Sequence, residues 1–348
     1  MTHPYADLPP QAFWRSGVAD ADPTALDGIY KPAFLLGDDA RIATAGSCFA
    51  QHISRALLGA GVQVLDVEPA PNTEAPELAR SFNYGIYSAR YGNIYTTRQL
   101  LQLLKDSETG HVEQADIWQR DGRFFDAQRP NIEPVGFISA DEAILLRRAH
   151  LAAVQRLFRT ATHLIFTLGL VECWSDRETG RVMPLAPGVV AGEYDVDRYN
   201  LLRLGFAEVL ADLQQIRQHL RRHNPAMRIV LTVSPVPLTA TATGQHVLPA
   251  TTNAKAILRA AAGEFADAHE DVDYFPSYEI VTNPAARGRF YMPNSRDITQ
   301  QGVDAVTATF LRAHGLTANA GPAIAASASD DASTYLVCEE ILLEAHRK

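Results

Sequence analysis

The chain has 348 residues, 47% of them hydrophobic and 20% charged, which is the composition of a soluble globular protein with room for one large domain or two ordinary ones. Its net charge of −9 argues against nucleic acid or an anionic membrane surface as a partner, and no stretch approaches the roughly 18 consecutive apolar residues of a membrane helix. Three widely spaced cysteines give no C-x-x-C metal spacing, and the opening MTHPYADLPPQAFW lacks the basic region and apolar core of a secretory signal, so the expected location is cytoplasmic.

The first strong element is RIATA at 41–45, which reads as a buried strand. A helix over 48–60 follows, with Phe49, Ile53, Ala56 and Leu57 at helical spacing and Gly59 and Gly61 at its end. VQVLDV (62–67) is a second strand and 96–105 a helix. A longer helix over 140–159 opens on Ser139 and Glu142, a capping-box spacing. HLIFTL (163–168) is the third strand. The helical pattern at 198–223 stops at Asn224-Pro225, before a fourth strand, RIVLTV (228–233). A helix at 252–268, a short strand VDYF (272–275) and a helix at 300–313 complete the series. Apolar strands alternating with helices predict an α/β fold, a three-layer sandwich around a parallel sheet of about five strands in the order 2-1-3-4-5.

Residues 1–316 read as one domain. Within it the Gly- and Pro-containing stretch 173–196 predicts a hairpin and loop over one edge of the sheet. Residues 317–334 read as a flexible linker, and 335–348 as a helix that returns to the body. No P-loop and no G-x-G-x-x-G follows a strand, and the aspartates of ADADP (19–23) lack the ligand run of an EF-hand, so neither cofactor nor metal is expected.

Ligands bind at the carboxyl edge of such a sheet, where Gly46–Cys48, Gly169–Trp174 and Ser234–Leu238 should emerge. Ser47 and Cys48 stand on the strand-to-helix turn. A thiol at a helix N-terminus has its pKa lowered, a serine there needs a base, and the free amides suit an oxyanion. The alternative is that Ser47 caps the helix and Cys48 packs inside. Tyr84, Tyr87, Tyr91 and Tyr95 form either a sugar-stacking platform or aromatic core.

GSCFA (46–50), RYGNIYTTRQLLQL (90–103), TLGLVECW (167–174), TVSPVPLTATATGQHVLPAT (232–251), KAILRAAAGEF (255–265), VDYFPSYEI (272–280) and VCEEILLEA (337–345) resemble, in this order, the longer proteobacterial-type members of the GSCFA family. The resemblance covers nearly the whole chain. That family is grouped with the SGNH or GDSL-like hydrolases, which share the three-layer fold. Laid on their Gly-Asp-Ser turn, Ser47 takes the aspartate position and Cys48 the nucleophile position, which favours Cys48 over Ser47. Their closing Asp-x-x-His corresponds here to Asn294-Ser-Arg-Asp297, so both expected residues differ. A base is then sought in His246, in the loop after the fourth strand, ahead of His52, one helical turn past Cys48.

In the superfamily's Gly-x-Asn-Asp block, Val171 stands where the asparagine falls. Gly92 and Asn93 are the candidate replacement donors, the alternative being a tight turn with Asn93 in the left-handed conformation. Tyr95, beside them, is a candidate substrate contact. Glu172 is a base, an orienter of His246, a substrate anchor, or the partner of an arginine. The resemblance implies an acyl-ester hydrolase or O-acyltransferase that forms a thioester on Cys48, with carbohydrate O-acyl groups or other small acylated molecules as substrates. The rival expectation is a catalytically degenerate module that binds a glycan or a partner protein.

Overall fold

The computed structural model describes residues 3–71, 75–317 and 343. Except for Thr317 and Leu343, the expected linker and terminal helix lie outside the described residues. The elements, in chain order, are β1 (Arg41–Gly46), α1 (Ala50–Gly59), β2 (Gln63–Val64), α2 (Pro76–Ser81), α3 (Thr97–Thr109), β3 (Ile117–Arg120), β4 (Arg123–Asp126), α4 (Ala140–Thr160), β5 (His163–Leu168), β6 (Glu172–Asp176), β7 (Val182–Met183), β8 (Tyr199–Arg203), α5 (Phe206–His223), β9 (Arg228–Val233), α6 (Val247–Asp267), β10 (Val272–Phe275), α7 (Ser277–Thr282) and α8 (Gln300–Ala313).

β2, β1, β5, β9 and β10 form one parallel sheet in that order, the 2-1-3-4-5 arrangement expected from the sequence. Successive residues point to opposite faces, and both faces are apolar. Ala43 and Ala45 of β1, Leu164, Phe166 and Leu168 of β5, and Ile229, Leu231 and Val233 of β9 pack into a core shared with α3, α4, α5 and α6. Ile42, Ile165 and Val230, from the same strands, join a second core built on α1, α7 and α8. Burial on both faces is why these strands read as continuous apolar runs.

Three segments depart from the elements expected of them. The strand expected at 62–67 pairs only over Gln63–Val64, because after Leu65 donates to the Ile42 carbonyl the chain leaves the sheet. Segment 86–94 runs beside β1 in its place: Ser88 Oγ accepts from Thr44 N at 2.9 Å, and Ile94 N donates to the Gly46 carbonyl at 2.9 Å. The helix expected from 198 begins at Phe206, since Tyr199–Arg203 instead pairs with β6. The stretch 173–196 contributes to a three-stranded antiparallel sheet, β7-β6-β8, rather than to a hairpin alone. The sequence reading also missed the β3–β4 hairpin, whose Asp121 and Gly122 both have positive φ, the geometry of a type I′ turn.

A buried chain of six alternating charges fastens these added strands to the body. Arg129 pairs with Asp126 at 2.7 Å, Arg147 reaches both Asp126 and Asp106, and Arg181 bridges Asp106 and Asp116 at 2.6 Å each. Deleting one partner of such a pair costs about 3–5 kcal/mol, because the remaining charge stays buried.

Candidate functional site

β1 ends at the carboxyl edge in Gly46, whose φ of 140° and close approach to β5 exclude a side chain: a Cβ there would lie 2.5 Å from the Thr167 carbonyl oxygen. Ser47 N extends the β1–β5 ladder by donating to that same oxygen at 3.2 Å. The carbonyls of Ser47 and Cys48 then accept from Ala50 and Gln51, winding the chain into α1. No side chain among the described residues caps α1, so Ser47 does not serve as the helix cap. Its Oγ is buried and has no hydrogen-bond partner among the described residues. Ser47 and Cys48 are each 4% exposed, and Cys48 packs into the core shared with α1, α7 and α8.

The walls of this turn come from distant segments. The carbonyl of Tyr95 accepts from both Gly169 N and Leu170 N, at 3.0 and 2.8 Å, locking the turn after β5 onto segment 86–96. A Cβ on Gly169 would lie 3.0 Å from Ser47 Cβ, so Gly169 is the surface against which the serine packs. On the other side of Gly169, Lys255 Nζ donates to its carbonyl at 2.8 Å. Lys255 is only 1% exposed, and a buried ammonium costs several kcal/mol unless well bonded. The sequence reading did not single it out. The available signal was a lysine in register with Leu258, Ala262 and Phe265 on the buried face of α6.

Gly92, with a φ of 67°, makes the left-handed bend assigned to Asn93 in the sequence-based alternative; Asn93 is not left-handed. Asn93 is buried, and its Oδ1 accepts from the Tyr87 hydroxyl at 2.5 Å, while Gln51 of α1 donates to that same hydroxyl. Tyr87, Tyr91 and Tyr95 are at most 5% exposed, so these three belong to the core rather than to a stacking platform. Tyr84 is half-buried, with the Arg90 guanidinium 3.9 Å above its ring.

Glu172 opens β6, and its carboxylate accepts from the Thr241 hydroxyl, which lies 3.0 and 2.9 Å from its two oxygens, and from the Ala242 backbone. Burial raises its pKa, against the Thr241 bond and the charge of Arg203. It thereby ties down the loop that leads to His246. His246 itself is exposed and caps α6, its Nδ1 accepting from Leu248 N at 3.1 Å. His52 is buried against Phe49, and burial lowers its pKa to about 4.

Asn294 and Asp297 close on one another: Asn294 Nδ2 donates to the Asp297 carboxylate at 2.8 Å, and the backbone amides of Arg296 and Asp297 donate to Asn294 Oδ1. Cys173 is buried on β6, and burial pushes its thiol up to about 12. Among the described residues no group of His, Cys, Asp and Glu is placed to hold a metal ion, and no helix is long and apolar enough to cross a membrane.

No curated protein matches the chain. Two solved structures are distantly similar in fold. One is described as a platelet activating factor from Streptococcus pneumonia, at 12% identity over 82% of this chain and 85% of that one, with a TM-score of 0.34. The other is a mutant acetyl esterase with an acetate ion, at 8% identity over 79% of this chain and 98% of that one, with a TM-score of 0.32. Neither likeness adds to the topology already described. The model of the GSCFA family matches residues 41–310, a span that runs from the first strand of the sheet into α8 and holds every wall of the Gly46–Cys48 turn, and the chain belongs to the GSCFA family.

Proposed function

We propose that this protein is an acyl-ester hydrolase or O-acyltransferase whose nucleophile stands on the Ser47–Cys48 turn, with an acylated carbohydrate or other small ester as substrate. One observation carries the reading: a buried hydroxyl without a partner, held at the carboxyl edge of a parallel sheet. Leaving such a group unsatisfied costs about 1–3 kcal/mol, and in a native protein it calls for a reason such as chemistry. Attack on the ester carbonyl gives a tetrahedral oxyanion at the start of α1, then an acyl-enzyme as the alcohol leaves. Water or an acceptor hydroxyl takes the acyl group and restores the enzyme. Register favours Cys48 as the attacking group, and the uncommitted hydroxyl favours Ser47. His246 is the base if the loop over 234–246, which Glu172 holds through Thr241, brings its ring to the turn.

Binding without chemistry is the second reading. It is supported by His246 capping its own helix and by Asn294 and Asp297 satisfying one another. Hydrolysis of p-nitrophenyl acetate and of acetylated sugars by the wild type, Ser47→Ala, Cys48→Ala and His246→Ala separates the possibilities. Acyl transfer predicts turnover that one of the two turn variants abolishes. No turnover by the wild type, or equal turnover in both turn variants, refutes it.

A further inference from the structure

Beside α4 lies a cavity of about 220 Å3, below the roughly 300–1,000 Å3 of drug-sized sites. Two arginines build its frame. Arg90 donates to the carbonyls of Phe82 and Ile132, pairs with Glu133 at 3.0 Å and stacks on Tyr84. Arg129 donates to the carbonyls of Arg90 and Leu146 and pairs with Asp126. The walls are therefore fixed by bonds among protein groups before any ligand arrives, which lowers the ordering cost of binding.

The lining charges are two carboxylates, Glu68 and Glu133, and two guanidiniums, Arg90 and Arg129. Their formal charges sum to zero, so no excess of either sign marks the cavity as an ion site. Its hydrogen-bonding capacity is mixed. Glu68 uses Oε2 for His150 Nδ1 and Arg90 N, and Glu133 uses Oε1 for Arg90. Among the described residues, Glu68 Oε1, Glu133 Oε2, Arg90 Nη1 and the Tyr84 hydroxyl carry no further bond. Ile132, Phe137 and Leu146 add apolar surface. Interleaved donors and acceptors over an apolar floor, at zero net charge, match vicinal hydroxyls and C–H faces on one ring. The cavity also shares a segment with the nucleophile turn, because Arg90 is four residues before Ile94, which bonds Gly46.

We propose that this cavity, framed by Arg90, Arg129, Glu68 and Glu133, is a subsite for one neutral sugar ring of the substrate. Its meaning rests on the acyl-carbohydrate reading above, but its occupancy is measurable without catalysis. Titration of the full chain with glucose, galactose and N-acetylglucosamine, followed by saturation-transfer NMR and calorimetry, tests it. The expected result is saturable binding of at least one of them, weakened at least about tenfold by Glu133→Ala and by Ala149→Trp. Ala149 is an exposed lining position on α4, where a larger side chain blocks the mouth without entering the core. Ser47→Ala should bind as the wild type does, and glucosamine or glucuronate should bind no more tightly than the neutral sugars.

No saturable binding of any of the three, binding untouched by both cavity variants, or clear preference for a charged analogue overturns the subsite. Thermal melts of each variant identify one that has unfolded, and the other then decides. Sugar binding without ester turnover would defeat the acyl-transfer reading and leave the subsite standing. Turnover without sugar binding would do the reverse.

Discussion

Gly46→Ala and Gly169→Ala change adjoining walls of one site and should behave very differently. At Gly46 the new methyl would sit 2.5 Å from the Thr167 carbonyl oxygen and 2.8 Å from Thr167 N and Cβ, at a φ of 140°. Most of these neighbours are backbone of a strand bonded on both sides, so they cannot withdraw. Forcing an L-residue into that conformation costs about 1–3 kcal/mol, and overpacking adds a similar amount, about 1–3 kcal/mol. At roughly 2 °C per kcal/mol, the lower end for large domains, a sum of about 4 kcal/mol lowers the melting temperature by about 8 °C. At Gly169 no left-handed φ is involved, and the methyl would lie 3.0 Å from Ser47 Cβ and 3.3 Å from the Tyr95 carbonyl oxygen. A shift of a few tenths of an ångström relieves this, at about 1 kcal/mol, but the shift falls on Ser47. Gly169→Ala should therefore melt only about 2 °C lower while losing a large share of any esterase activity. Thermal and urea denaturation followed by circular dichroism measure both. A Gly46→Ala protein melting within about 2 °C of wild type, or one more stable than Gly169→Ala, would show that the strand-end geometry has been misread.

Three further outcomes are expected. Ser47→Ala removes an unsatisfied buried hydroxyl and should gain roughly 1 kcal/mol in urea unfolding; a loss of that size would mean that the hydroxyl has a partner after all. Burial holds His52, His163 and His314 neutral, each lowered to about 4. The unfolded chain therefore binds more protons as pH falls from about 6.5 to about 4, and stability should drop across that window, by up to about 3 kcal/mol per histidine. His52→Leu should flatten the decline seen in urea titrations, and an unchanged slope would exclude His52 from it. In the folded protein iodoacetamide should modify Cys48 faster than Cys173, whose thiol burial pushes up to about 12. Equal or slower labelling at Cys48, read by peptide mapping, removes the thiol as nucleophile.

Most of the sheet was legible because its strands are buried on both faces, with α4 opening on the Ser139 cap and α5 stopping at Asn224. The same logic failed at Tyr199–Arg203, where YNLLR has apolar residues compatible with either period and only pairing with β6 decides for a strand. The β3–β4 hairpin was readable in principle, since Asp121-Gly122 is the dipeptide that favours a type I′ turn. The site was legible only in part. The position of Ser47 and Cys48 at the carboxyl edge follows from local pattern. The contact between Lys255 and the Gly169 carbonyl does not, because it joins residues 86 positions apart and depends on how α6 docks. For the same reason no spacing rule announces that His246 uses its Nδ1 to cap the start of α6.

The six-membered chain of buried charges bears on how this protein is free to change over evolutionary time. Asp116 precedes β3, Asp126 ends β4 and Arg181 precedes β7, while Asp106 and Arg147 belong to α3 and α4. Losing Asp126 leaves Arg129, and losing Arg181 leaves Asp116, as a buried charge without its ion partner at about 3–5 kcal/mol, a large part of a typical domain's whole stability of about 5–15 kcal/mol; losing any other member breaks the balance of three charges of each sign. Substitutions here must therefore arrive in pairs, or replace the entire chain with apolar side chains at once. The added strands are in this sense inherited together with α3 and α4. A relative that lacks the β3–β4 hairpin should also have lost Arg129, which pairs with Asp126, while Arg147 and Arg181 keep Asp106; the turn at Gly46–Cys48 answers to a separate set of walls and can drift in chemistry without them.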